Sequence, residues 1–152
     1  MRILINDIGG FILGNIMTIQ EMKVLVQKHA DLESKHDLEG VLATLVEDPI
    51  YEIYPMRLKL EGKENIRAFY REHFDSFFPL IASFQLINEW WDSESAAMEY
   101  DLFLKPPYAE KSYRIQVILT AKNNLLLGER FYISQELARL MSGAAFSRWK
   151  KF

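Results

Sequence analysis

The apolar residues of this chain change period at Pro79. Before that proline they recur mostly every three or four positions, and after it every second position, so helices come first and strands follow. In MKVLVQKHADL, residues 22–32, Met22, Leu25, Val26, His29 and Leu32 share one helical face. Thr18 with Glu21 three residues on makes a capping box for a helix running to about Glu33. HDLEGVLATLVEDP repeats Leu38, Val41, Leu42, Leu45 and Val46 at the same spacing, and predicts a second helix stopped by Pro49. IYEIYP and MRLKLEG alternate instead, predicting two short strands. GKENIRAFYREHFDSFFP predicts a third helix with Ile66, Phe69, Tyr70, Phe74 and Phe77 along one side.

Beyond Pro79, FQLINEWW, AAMEYDLFL, SYRIQVILT and LLLGERFYIS are of strand length, and DSES and KPPYAEK are polar links between them. Short links between successive strands imply antiparallel hairpins. SQELARLMSG then reads as a closing helix, with Ser134 at its start and Gly143 past its end. This order specifies an α+β domain with helices packed on one face of a curved sheet. A length of 152 residues suits one such domain. We place it at 17–143, with 1–16 as an N-terminal extension and 144–152, which holds the basic aromatic FSRWKKF, as a C-terminal tail.

Several functions are disfavoured at this level. The net charge of −3 comes with scattered lysines and arginines, so no basic stripe awaits nucleic acid. The chain has no cysteine, which excludes thiolate chemistry and makes a reducing cytoplasm the simplest compartment. Neither HxH nor HExxH spacing links His29, His36 and His73, so no metal and no cofactor are expected. MRILINDIGGFILGNIM has a weak signal-peptide look, but Asn6, Asp7 and its glycines break the apolar run, which is also too short to span a bilayer. No membrane partner is expected. In SYRIQVILT, Tyr113, Ile115, Val117 and Leu119 fall on one side, and Arg114, Gln116, Ile118 and Thr120 on the other. If helices cover one face, the other still carries large apolar groups, which implies a two-fold homodimer through the outer sheet face.

The segment LVEDPIYEIYPMRLKLEGKENIRAFYREHF, followed by EYD and by GERFYIS, resembles the SnoaL-like branch of the nuclear transport factor 2-like superfamily, which also holds ketosteroid isomerase, limonene-epoxide hydrolase and polyketide cyclases. The resemblance implies a cone-shaped curved antiparallel sheet wrapped on about three N-terminal helices, with a deep pocket between them. Carried over from ketosteroid isomerase, His29 stands at the oxyanion-hole tyrosine, Ile53 at the general-base aspartate and Gln116 at the oxyanion-hole aspartic acid. Isoleucine cannot accept a proton, so that isomerisation mechanism does not transfer. The arginine and two aspartates of the epoxide hydrolase align with Glu99, Asp101 and Phe131, of which only Asp101 keeps its chemistry.

Strand parity under the same resemblance turns Glu99, Asp101, Arg114, Gln116 and Glu129 into the pocket, where several carboxylates beside one arginine would have their pKa values pushed apart. The opposite parity would turn Tyr100, Tyr113, Arg130 and Tyr132 inward instead. The expected catalytic set is Asp101 as base with His29 or Glu129 as acid, and Arg114 or Gln116 stabilising negative charge. His29 either serves this set or makes a quiet hydrogen bond in the core. Tyr51, Trp90 and Phe69 are expected to line the pocket with Glu99. Trp90 and Trp91 point to opposite faces, so one lines the cavity and the other the subunit interface. The aromatic stripe that holds Phe69 reads first as plain core, and only second as a ligand-binding wall. The function implied is a pocket for an apolar small molecule, with isomerase, cyclase or hydrolase chemistry on a carbonyl or ring compound. The alternative is a non-catalytic binding or dimerisation module of the same fold.

Overall fold

The structure is a computed structural model and describes residues 16–152. The expected extension therefore lies, but for Ile16, outside the described residues. The chain runs through α1 (Ile19–Ser34), α2 (Leu38–Ala43), β1 (Leu45–Tyr54), β2 (Leu58–Glu61) and α3 (Lys63–Glu72). A π-helical turn (His73–Phe77) and a 3-10 turn (Phe78–Leu80) lead into β3 (Ile81–Trp91), β4 (Ser95–Leu104), β5 (Ser112–Lys122) and β6 (Leu125–Tyr132). Then come α4 (Gln135–Ser142), a 3-10 turn (Gly143–Arg148) and β7 (Lys150–Lys151).

Local chemistry sets the ends of α1. Thr18 accepts from the Glu21 N–H at 3.1 Å and the Glu21 carboxylate accepts from the Thr18 N–H at 2.7 Å, so two otherwise unbonded backbone donors are satisfied. The buried side of α1 is Met22, Leu25, Val26 and His29. The second helix is shorter than its apolar period predicts. It ends at Ala43 because Leu45 pairs with Leu126 of β6, and sheet pairing outweighs a weak helical preference. Pro49 is accommodated where the β1–β6 register shifts between Leu45 and Ile50.

Among the described residues, seven strands form one sheet in the order β3-β4-β5-β6-β1-β2-β7. The expected hairpins β3–β4, β4–β5 and β5–β6 are antiparallel. The sheet as a whole is mixed, because β1 lies parallel to β6. At that junction Gly128 has φ +150°, and a Cβ there would stand 1.7 Å from the Ile50 carbonyl oxygen. Only glycine lets the two backbones meet so closely. The C-terminal segment packs back on the domain: Trp149 is buried beside Phe69, and Lys150–Lys151 adds to β2.

The inner face of the sheet follows the apolar alternation of β5. Tyr113, Ile115, Val117 and Leu119 are buried beneath the helices, while Arg114, Gln116, Ile118 and Thr120 face outward. Two register shifts interrupt β3, at Ile81/Ser83 and Leu86/Asn88. The second makes Ile87 an extra residue and reverses the facing of everything after it. Phe84 and Leu86 therefore face the cavity before the bulge, and Glu89 and Trp91 after it.

Candidate functional site

A cavity of about 620 Å³ lies between α1, α3, the turns after α3 and the concave side of β3–β6. Its walls are largely aromatic and aliphatic, including Phe69, Phe77, Tyr100, Ile115 and Phe131. Phe84 at its rim is 72% exposed, so one side of the mouth is apolar.

The polar groups gather around His29, which is 2% exposed. The Thr44 hydroxyl donates to the Val41 carbonyl at 2.6 Å, so its oxygen is left to accept from His29 Nδ1, also at 2.6 Å. That bond fixes the proton on Nδ1 and aims Nε2 at two carboxylates. Nε2 lies 3.1 Å from Oε1 of Glu129 and 3.3 Å from Oε1 of Glu33. A lone pair facing two anions would be repelled, so Nε2 carries a proton as well. Burial alone would lower the pKa of His29, but its hydrogen bonds to Glu129 and Glu33 and their charges outweigh this and push it up to about 10. The ring is an imidazolium at neutral pH. Burial also acts to raise the pKa of Glu33, and the hydrogen bond and charge of His29 overcome it and hold the carboxyl below its usual range.

Two tyrosines complete the cluster. Tyr70 donates to Glu33 at 2.6 Å, Tyr51 donates to Glu129 at 3.0 Å, and their hydroxyls are 2.8 Å apart. Burial, and then the nearby carboxylates, push both phenols well above their ordinary pKa, so both remain donors. With one imidazolium and two carboxylates, the cluster carries one net negative charge. Its three ligating atoms lie within 4.8 Å of one another, a spacing that would also suit a divalent cation in place of the Nε2 proton.

The expected site residues separate into two groups. His29, Glu129 and Phe69 line the cavity, and Tyr51 sits behind its wall with its hydroxyl bonded into the cluster. Asp101, Glu99, Arg114 and Gln116 instead face the outer side of the sheet. Arg114 bonds Asp101 at 2.6 and 3.0 Å and Glu99 at 2.6 Å there. Its guanidinium holds the Asp101 carboxyl below the usual carboxylate range. Inward parity on β4 and β5 would bury three charges and expose four apolar side chains of β5, each worth roughly 1.5–3 kcal/mol when buried. Asp101 as a base in the pocket is therefore corrected, together with Glu99, Arg114 and Gln116 as pocket residues. Trp90 is corrected too, because the Ile87 bulge sends Trp91 into the cavity and leaves Trp90 outside. Sequence reasoning passed over Glu33 and Thr44, and read Tyr70 only as part of the aromatic stripe of the third helix. Glu33 stands four residues after His29 on the same helix face, a spacing that could have identified it; Thr44 carried no such signal.

The arrangement of a helical layer over a curved mixed sheet, with a cavity between, has counterparts among solved structures. A candidate ketosteroid isomerase from Kribbella flavida superposes with a TM-score of 0.62 at 20% identity, over 76% of this chain and 79% of that one. A nuclear transport factor 2-like protein of unknown function from Mesorhizobium loti gives 0.61 at 13% identity, over 76% and 92%. The chain has the nuclear transport factor 2-like fold. No family model matches the sequence, and no curated protein matches it. A de novo designed protein with a curved β-sheet superposes with a TM-score of 0.63 at 15% identity, over 82% of this chain and 94% of that one. One fold hosts many activities, so chemistry resides in the cavity and not in the fold.

Proposed function

We propose that the protein binds an apolar small molecule in the cavity and moves a proton on it, with Glu33 as the group that accepts and returns the proton. The observation that carries this reading is the His29–Glu33–Glu129 cluster at the wall of a 620 Å³ apolar cavity. Glu33 is the cluster carboxylate most open to the cavity, its side chain 26% exposed against 7% for Glu129. Accepting one proton would take the cluster from one negative charge to neutral, and His29 and Tyr70 are placed to hold either state. Return of the proton to a different atom of the same molecule is an isomerisation; coupled to ring closure it is a cyclisation. No step calls for a cofactor. The candidate ketosteroid isomerase with the same fold supports this direction by analogy alone.

A second reading, binding without turnover, is favoured by the lowered pKa of Glu33, since a carboxylate stabilised this way is a weak base. Solvent deuterium separates the two. Apolar carbonyl and ring compounds that raise the melting temperature are incubated in heavy water and examined for deuterium at carbon. Proton transfer predicts uptake that Glu33→Gln slows by about 10²–10⁴-fold while binding persists. Binding with no uptake from any compound supports the second reading.

The assembly belongs to this reading as well. We infer that a second copy covers the outer sheet face, where Trp90 is 47% exposed and which also carries the paired charges of Arg114, Asp101 and Glu99. Among the described residues no helix is long and apolar enough to cross a membrane.

A further inference from the structure

The charges that line the cavity are lopsided. Among the described residues three carboxylates face it, Glu33 and Glu129 in the cluster and Glu89 near the mouth, and none of these lining residues is a lysine or arginine. The cations available are histidines. His29 is already committed to Thr44 and the two carboxylates. His73 donates from Nδ1 to the Met141 carbonyl at 3.2 Å, and burial holds its pKa below the ordinary value, so it remains neutral. The cavity therefore holds two negative charges in excess, and a carboxylate or phosphate ligand would meet repulsion with no partner to offset its desolvation.

Two further observations say what would be welcome instead. The hydrogen bonds to Glu33 and Glu129 all arrive at Oε1, so among the described residues Oε2 of each accepts from no protein donor. The remaining wall offers aromatic faces, from Phe69, Phe77, Phe84, Trp91, Tyr100 and Phe131. Such rings attract a cation positioned over them. Trp91 already does so, with Lys23 Nζ standing 5.5 Å from the ring centroid.

We propose that the ligand of this cavity is an apolar amine, bound as its ammonium ion with the nitrogen at Glu33 and its hydrocarbon body against the aromatic wall. This rests on the reading of the cavity as a small-molecule site and narrows it to a ligand class. The ammonium supplies the donors that the free Oε2 atoms lack, and it brings the lining charge closer to balance. The hydrocarbon body fits walls that are apolar from the cluster to the rim at Phe84 and Leu86.

A matched series tests the class: adamantylamine, adamantanol and adamantane carboxylate share one rigid cage and differ in the charge of a single group. Calorimetric titration at neutral pH and low salt is expected to rank amine over alcohol by about tenfold or more, with no measurable binding of the carboxylate. In Glu33→Gln the amine should fall to the level of the alcohol. Unchanged alcohol binding in that variant shows that the cavity is intact; if the variant does not fold, the ranking on the unaltered protein decides alone. Alcohol binding as tight as amine, or carboxylate binding tightest, overturns the amine assignment and leaves the small-molecule site standing. Failure of all three to bind overturns both.

Discussion

At the scale of single residues, one hydroxyl orients the whole cluster. Thr44→Val keeps the shape but removes the acceptor of His29 Nδ1, leaving a buried charged donor without a partner; a loss of about 1–3 kcal/mol is expected in chemical denaturation. The pH dependence follows from His29. Its pKa rises from 6.5 to about 10 on folding, so the stabilisation it provides is complete below 6.5 and is lost as pH climbs toward 10. Melting temperature should fall across that interval in the native protein and vary much less in His29→Gln. Glu33 acts in the opposite sense, since its folded pKa is lowered: its contribution is present above its ordinary value of 4.5 and disappears as the solution is acidified. The polar interruption of the apolar stripe made His29 legible in the sequence, and Glu33 one turn later shared its face. Thr44 and Tyr70 reach the same point only through tertiary packing, which no local pattern records.

At the scale of elements, the facing of the strands decided what the site contains. The alternation of Tyr113, Ile115, Val117 and Leu119 was visible in β5 and agrees with the observed inner face. Family parity, resting on short matching words, pointed the other way for β4 and β5, and burial energy favours the apolar face. The β3 bulge had no signature in the sequence, because an extra residue in a ladder depends on what the partner strand offers. Helix starts were well marked, since a cap is a local chemical event; the end of α2 was not, because pairing between β1 and β6 set it. That pairing makes its own prediction. Gly128→Ala places a Cβ 1.7 Å from the Ile50 oxygen and must part β1 from β6, so the variant should lose several kcal/mol or fail to fold, measured by urea denaturation.

At the scale of the whole molecule, the two faces of one sheet divide the chemistry. The outer face keeps its ions paired in the open and displays Trp90, while the inner face encloses a cavity with excess negative charge. If a second copy covers the outer face, light scattering will give twice the mass of 17.8 kDa, and Trp90→Glu will return it to the single-chain value. The inner face depends on His29 being charged, because a neutral ring would leave the buried carboxylate of Glu129 and the half-buried one of Glu33 facing each other without a cation between them. The direct measurement is the ¹⁵N spectrum of the labelled imidazole of His29 at about pH 8, well above the usual titration of histidine. Both ring nitrogens should carry protons there, and the signals should move only as the pH nears 10. A ring that loses its proton near 6.5, with one nitrogen bare at pH 8, would contradict the ionised cluster and the site built on it.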